Sequence, residues 1–186
     1  MPDVAGRQAQ QMGQALQQSG QAAGVIALDM QQQASQALVN EALDAVKNAA
    51  LDLTYGEGSG YTALRGRDAL KRPDGKPLAD EYAEKLKSTI DATAASLGSD
   101  AQRAAFAHYS NGMLTSFRGQ VMQHEAQEFK TYGLSVSEGV QATALRDIGL
   151  NWQNPDAVNN AVERIRAETY RQGQLLGKSA EWQETQ

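Results

Sequence analysis

The span from Ser99 to about Trp152 contains no proline, and its apolar residues recur at helical spacing along its whole length. Steps of three, four and once eight place these side chains on one slowly drifting helix face: Phe106, Tyr109, Met113, Phe117, Val121, Phe129, Tyr132, Val136, Val140, Ala144, Ile148 and Trp152. A helix of this length measures ~75 Å, which exceeds the diameter of a domain of this size. We therefore expect part of the apolar face to need another chain.

Five glycines lie within this span and bear on its continuity. Tyr132-Gly133-Leu134-Ser135, with Glu138 three residues beyond the serine, has the residues of a helix C-cap followed by a capping box. One continuous or mildly kinked helix is the favoured prediction, and a break at Gly133 is the alternative.

The rest of the chain has little strand character, because alternating runs of Val, Ile and Thr are missing. We predict an all-α fold, an elongated bundle of about four to five helices with one long central helix and a Gly-rich connection. The predicted parts are a Gln/Gly-rich arm with marginal helix at 1–30, a helical bundle at 31–177 and a flexible tail at 178–186. The abrupt end after a helix suggests the front part of a longer protein.

The arm is compositionally biased, with eleven glutamines in residues 1–36 and no charge between Arg7 and Asp29. A weak heptad seam runs through it, formed by Met12, Leu16, Ala23, Ile26 and Met30. The favoured interpretation is an arm that orders only against partners. The alternative is an uncharged helix that lies against a neighbour or a membrane.

Capping residues and apolar spacing mark the other elements. A helix is predicted from about Gln31 to Thr54, another from Pro77 or Leu78 to Leu97, and a last one from Pro155 to about Leu176. Ser99 and Asn154 are the predicted N-caps. The glycine-rich connection at 55–77 contains a short helical turn and is held by predicted anchors: Tyr55, Tyr61, Leu64 and Leu70.

Composition argues against several kinds of site. The formal charge of −5 disfavours a general phosphate-binding surface. A local basic cluster is interpreted as a solvated loop: Arg65, Arg67, Lys71, Arg72 and Lys76. With no cysteine, and with two histidines sixteen residues apart, we predict no metal site and no cofactor. No apolar window is long enough to predict a membrane span.

The group His124-Glu125-x-x-Glu128 is the one tempting catalytic pattern. A zinc protease motif needs a second histidine where Glu128 stands, so that interpretation fails. At helical spacing such a group is more often a solvated face with local ion pairs, which is the favoured prediction. We predict no catalytic residues.

Four stretches of the sequence resemble a known family. Leu51-Asp-Leu-Thr-Tyr-Gly-Glu-Gly-Ser-Gly-Tyr-Thr-Ala-Leu-Arg-Gly-Arg-Asp-Ala-Leu70, followed by Pro73-Asp-Gly-Lys-Pro-Leu-Ala-Asp-Glu-Tyr82, resembles the helix–loop–helix near the start of large internal virion proteins of short-tailed bacteriophages. Asp100-Ala-Gln-Arg-Ala-Ala-Phe106 and Phe117-Arg-Gly-Gln-Val121, with His124, Glu125 and Phe129, are also similar. The resemblance covers about residues 38–178, and its motifs are structural.

This resemblance implies a protein packaged in the capsid, ejected ahead of the genome and assembled in the host cell envelope as part of a DNA conduit. The implied partners are further copies of the chain, other phage virion proteins and the host envelope or membrane, with DNA passage but no specific nucleic-acid site. Longer members of the family often carry a peptidoglycan-cleaving transglycosylase domain, which no part of this sequence matches.

The predicted role is therefore a structural module that self-associates through the long helix. The expected assembly face consists of Phe117, Val121, Phe129, Val136, Val140, Ile148 and Trp152. The alternatives are a soluble helical adaptor or secreted coiled-coil interaction protein and, third, a non-catalytic part of a peptidoglycan-cleaving virion enzyme.

Overall fold

Helices make up most of the described residues in the computed structural model, which describes the backbone of residues 4–179 and the side chains of residues 28–179. The elements are α1 (Val4–Tyr55), a 3₁₀ turn (Tyr61–Ala63), α2 (Arg67–Leu70), α3 (Leu78–Ser96), α4 (Asp100–Leu150) and α5 (Pro155–Leu175). Within the described residues there is no β-strand. The prediction of an all-α helical bundle with one long central helix is confirmed.

Two predicted caps fix the helix boundaries. Ser99 Oγ accepts a hydrogen bond from the Gln102 N–H, and the Gln102 side chain accepts one from the Ser99 N–H, which is a reciprocal capping box at the start of α4. The Asn154 side chain accepts from the backbone N–H groups of Asp156 and Ala157, and Pro155 occupies the first helical position of α5. Both caps lie where the sequence predicts them.

The chain groups into two compact units, each built from separate stretches of sequence: Met1–Ala49 with Ser88–Met113, and Ala50–Lys87 with Leu114–Gln186. In the first unit, α1, α3 and α4 bury a core of Val39, Ala42, Val46, Ile90, Leu97 and Phe106. Near the α3–α4 turn, the Gln102 side chain donates to Ser35 Oγ. The described α1 side chains that precede Ser35 are all exposed.

The predicted arm and tail lie partly outside the described residues. Helix α1 runs through residue 30 without a break, while the side chains of the proposed seam from Met12 to Ile26 are outside the described set. Of the tail at 178–186, residues 180–186 are also outside it. The boundaries of the arm and of the tail stay predictions.

The second unit has two packing regions along one helix. Its first region buries Tyr61, Ala69, Leu78, Tyr82, Leu86, Phe117 and Val121 between the connection, α3 and α4. Its second region packs α5 against the last third of α4, where the buried residues are small: Gly133, Ser137, Ala144, Ala161 and Gly173. Helix α4 is continuous through Gly133, so the alternative prediction of a break there is wrong.

The close packing of α4 and α5 accounts for glycine at position 133. A Cβ added to Gly133 would lie 2.9 Å from Leu175 Cδ1, so a side chain there would force the Leu175 side chain of α5 to shift. The Ser137 hydroxyl donates to the Glu168 carboxylate at 2.6 Å, and this bond holds the pKa of Glu168 below its ordinary value. The glycine that looked like a helix terminator is a point of close helix approach.

Candidate functional site

Three polar side chains of α4, within residues 124–128, fasten the connection between α1 and α3 and the start of α3. Glu128 Oε2 accepts a hydrogen bond from the Gly66 N–H at 2.7 Å, and Glu128 Oε1 pairs with Arg65 at 2.8 Å. One turn earlier, His124 Nε2 hydrogen bonds to the Leu64 carbonyl at 2.9 Å. We name His124, Glu125 and Glu128, with the loop residues that they hold, the loop clasp.

Glu125 completes the loop clasp from the same helix. Its two carboxylate oxygens accept hydrogen bonds from the backbone N–H groups of Leu78 and Ala79, each at 3.2 Å. These N–H groups lie in the first turn of α3 and have no acceptor within that helix. A carboxylate there also opposes the positive end of the helix dipole. Glu125 therefore acts as an N-terminal cap supplied by another helix.

The electrostatics of the loop clasp follow from these bonds. The Gly66 N–H, and then Arg65, hold the pKa of the Glu128 carboxyl below its ordinary value, although burial opposes this. Gly66 has a φ of +49°, a backbone conformation that favours glycine. Because Glu128 is buried and Glu125 is half-buried, the prediction that this group is a solvated helix face is wrong.

Tyr61 is the aromatic centre beside the loop clasp. Its ring meets those of Tyr82 and Phe117 edge-on, at centroid distances of 5.7 and 5.9 Å, and lies 5.4 Å from the His124 ring. Burial raises the pKa of the Tyr61 hydroxyl. Tyr82 in turn donates its hydroxyl hydrogen to the Ser59 carbonyl at 2.7 Å. The connection is therefore packed from inside as well as bonded to α4.

The predicted loop anchors have unequal burial. Tyr61 is buried, and Leu64 and Leu70 are half-buried, which is consistent with anchoring. Tyr55 is 72% exposed at the end of α1, so its prediction as an anchor is wrong. In the last turn of α1 the buried residue is Thr54, and its neighbour Tyr55 faces outward.

The basic cluster of the connection is largely paired. Arg72 forms a two-pronged ion pair with Glu81, at 2.6 and 3.1 Å, and both side chains are mostly buried. Arg65 pairs with Glu128, and Lys76 pairs with Glu84 at 2.6 Å. The solvated-loop interpretation therefore holds for the exposed Arg67 and Lys71 but not for Arg72. Paired guanidinium groups of this kind do not form an open patch for phosphate.

An open groove of about 760 Å³ lies between α3 and α4 in the second unit. Its lining includes Ala83, Leu114, Gly119 and Met122. The acidic residues of the lining are also paired, since Asp80 contacts Arg118 at 2.7 Å and Glu84 contacts Lys76. Both carboxylates of the groove are therefore held in ion pairs with basic residues of its own lining.

The predicted assembly face is divided by the structure. The prediction is wrong for Phe117 and Val121, because both are buried within their own chain. They lie in the region around Tyr61, so they have no surface left for a second copy to contact. Phe129 and Val136 are 57% and 39% exposed, and Trp152 is exposed beyond the end of α4. Val140 and Ile148 are half-buried on the side of α4 that receives α5.

Three exposed apolar residues of α4 were missed by the sequence reasoning: Met122, Leu145 and Leu150. Met122 and Leu150 are 54% and 74% exposed, and they lie seven residues before Phe129 and fourteen after Val136. Together with Thr143 they complete a row with a strict seven-residue interval, which we name the α4 seam: Met122, Phe129, Val136, Thr143 and Leu150. That interval was the signal in the sequence that identifies them.

The part of the chain that the structure describes contains neither a metal-binding cluster nor a helix able to cross a membrane. No cluster of three or more His, Cys, Asp or Glu residues there has the geometry to hold a metal ion. No described helix has the length and apolarity needed to cross a membrane. Comparison with protein-family models, curated proteins and solved structures found no match.

Proposed function

We propose that this chain is a structural segment of a phage internal virion protein, which is ejected from the capsid and self-assembles in the host cell envelope into a conduit for the genome. The resemblance of residues 38–178 to that family supports the phage origin, the ejection and the location in the host cell envelope. The observation that carries the self-association is the α4 seam, whose apolar members Met122, Phe129, Val136 and Leu150 stay exposed. Further copies, other virion proteins and the host envelope are the proposed partners.

The surface chemistry supports a structural role. Exposed apolar side chains on a helix are favourable sites for association, since their burial gains about 25 cal/mol per Å². The polar groups of highest burial, including Glu128 and Ser137, are used to hold the connection and α5 in place. The described polar residues therefore maintain the arrangement of the helices that presents the seam.

The experiment is sedimentation of the purified chain over a wide concentration range, combined with negative-stain imaging. We expect association, with discrete rings or tubes in the images. A strict monomer at the highest concentration would overturn the proposal and would favour the adaptor alternative, in which a helix of another protein covers the seam. Release of peptidoglycan fragments by the same preparation would instead show that the chain itself is catalytic, which none of these structural roles includes.

A further inference from the structure

The free end of the α4–α5 hairpin exposes its apolar side chains in a stretch without charge. We name residues 149–155 the hairpin tip. Every residue of the tip is exposed, and none of them is Asp, Glu, Lys or Arg. Leu150, which also ends the α4 seam, is 74% exposed, and Trp152 is 70% exposed. An aliphatic and an aromatic side chain therefore share a small uncharged surface.

Contacts along the hairpin show that the tip lies beyond its packed part. Ser137 on α4 bonds to Glu168 on α5, and nearer the tip Asp147 pairs with Arg164. The two helices are therefore antiparallel, and both leave the tip in the same direction. No residue within 145–160 is buried. The tip is thus the projecting end of this hairpin, and its own chain does not cover it.

The turn within the tip satisfies its own polar groups. The Asn151 N–H donates to the Asp147 carbonyl, and the Asn154 N–H donates to the Asn151 carbonyl. The Asn151 side chain also donates to the Asp147 carbonyl, and the Asn154 side chain accepts from two N–H groups at the start of α5. Pro155 has no N–H to satisfy. Because these groups already have partners, the tip loses little when it enters a layer that is poorer in water.

The turn between α3 and α4 has the opposite arrangement. Leu97 is buried there, at 6% exposure, whereas 99% of the Asp100 side chain is in solvent. Asp100 is also paired with Arg103, so this turn presents charge to water. The hairpin tip presents apolar groups instead, which is typical of a surface that meets a less polar medium.

The size of the tip favours a lipid layer over a protein partner. The exposed parts of Leu150 and Trp152 amount to roughly 300 Å². A specific protein interface needs about 800 Å² on each partner. The interfacial layer of a bilayer needs no matching shape, and tryptophan is enriched there because its ring is apolar and its N–H is polar. Two such side chains are sufficient for a shallow contact with lipid.

We infer that the hairpin tip inserts into the interfacial layer of a lipid bilayer, with Leu150 and Trp152 at the acyl boundary and both helices directed away from it. The host membrane as the setting rests on the function proposed above. The surface itself is argued from the residues of the tip alone.

The charges around the tip determine which lipids it accepts. Arg146 and Asp147 precede the tip, Asp156 follows it, and Arg164 pairs with Asp147, so the nearby charges cancel. Attraction to anionic headgroups needs clustered Lys and Arg, whereas Arg146 is the one basic residue within 145–160. We therefore expect insertion to depend on apolar contact and to be insensitive to anionic lipid and to salt.

Tryptophan fluorescence tests the insertion directly. The chain has two tryptophans, and Trp182→Phe leaves Trp152 as the reporter. This chain is mixed with vesicles of phosphatidylcholine. We expect the Trp152 emission to shift to shorter wavelengths and to be quenched by lipids that carry bromine on their acyl chains, equally when phosphatidylglycerol is included. An emission that the vesicles leave unchanged would overturn the inference.

Co-sedimentation of substituted chains with the same vesicles tests which residues make the contact. We expect Trp152→Ser and Leu150→Ser each to weaken vesicle binding about tenfold, with unchanged circular dichroism because both side chains are exposed. The matched control is Tyr109→Ser, which removes a ring that is 58% exposed elsewhere on α4 and should leave binding unchanged. Undiminished binding of Trp152→Ser, or an equal loss in Tyr109→Ser, would overturn the inference.

Sedimentation without vesicles separates this inference from the proposed function. Trp152 lies outside the α4 seam, so Trp152→Ser should associate as the natural chain does. Loss of association in this variant would show that the tip contacts protein, which overturns the inference and leaves the proposed function standing. A chain that binds vesicles through Trp152 but sediments only as a monomer would support the inference and overturn the proposed self-association.

Discussion

Glu128 accepts a hydrogen bond from the backbone N–H of Gly66, which lies 62 residues earlier in the chain, at a distance of 2.7 Å. The acceptor is a buried carboxylate and the donor belongs to a glycine with positive φ. A buried acceptor of this kind stabilises a structure mainly because its loss leaves a donor without a partner. The bond therefore ties the glycine-rich connection to the long helix.

Replacement of Glu128 by alanine tests that bond. We expect Glu128→Ala to lower the free energy of unfolding by roughly 2–3 kcal/mol, because the Gly66 N–H and Arg65 lose their acceptor. Urea denaturation followed by circular dichroism measures the change. The exposed Glu138 lies on the same helix, and Glu138→Ala should alter stability by less than about 0.5 kcal/mol. Equal effects of the two substitutions would contradict the role of Glu128.

The ion pair of Glu81 with Arg72 predicts a dependence of stability on pH. The hydrogen bond from Arg72 lowers the pKa of Glu81 to about 2, from an ordinary value of 4.5. Since the folded-state pKa lies below the unfolded one, this stabilisation is fully present above pH 4.5 and is lost as the pH falls toward 2. After allowance for solvent screening it amounts to about 1–2 kcal/mol.

The measurement compares Glu81→Gln with the natural chain by urea denaturation at several pH values. We expect a difference in the free energy of unfolding at pH 7 that shrinks steadily in acid. Glu163→Gln removes the exposed pair with Arg166 and serves as the control, with an effect below about 0.5 kcal/mol at any pH. A difference for Glu81→Gln that stays constant down to pH 2 would rule out the ion pair as its source.

Tyr61 and Tyr55 provide a test of which aromatic residue anchors the connection. Tyr61→Ala removes a buried ring that contacts Tyr82, Phe117 and His124, so we expect a loss of about 3–5 kcal/mol. Tyr55→Ala removes a ring that is mostly in solvent and should cost less than about 0.5 kcal/mol. Thermal denaturation of both variants gives the comparison. A comparable loss for Tyr55→Ala would restore its role as an anchor.

Two glycines of α4 should respond differently to alanine. A Cβ at Gly119 meets no atom within 4 Å, so Gly119→Ala should stabilise the chain by up to about 1 kcal/mol through helix propensity. Gly133→Ala gains the same propensity but moves Leu175, whose Cδ1 lies 2.9 Å from the added atom. We therefore expect a smaller gain or a loss in urea denaturation. Equal gains would show that α5 does not press against Gly133.

The helices were predictable because their signals are local. Ser99, Asn154 and Pro155 are capping residues whose chemistry acts within one turn, and the structure uses each of them as predicted. The apolar spacing of α3 also identifies its buried face, since Tyr82, Leu86, Ile90 and Leu97 are buried. Local chemistry of this kind is visible in one sequence without knowledge of the fold.

The buried face of α4 beyond Glu128 was not predictable in the same way. Its buried residues there are Gly133, Ser137 and Ala144, which carry little hydrophobic signal, while the apolar Phe129 and Val136 are exposed. These small residues are buried because α5 lies close to α4 at Gly133 and because the Ser137 hydroxyl is bonded to Glu168. Similarly, Glu128 looks like a surface residue until its partner, 62 residues away, is known.

Helix α4 contacts the connection through one face and α5 through another. The number of residues between these two contacts is therefore as important as their composition. Glu128 bonds to the connection and Gly133 lies against α5. The residues between them therefore set the angle, about the axis of α4, between these two contacts. Adding or deleting a single residue there would rotate everything downstream by about 100°. Homologous chains should thus conserve the number of these intervening residues.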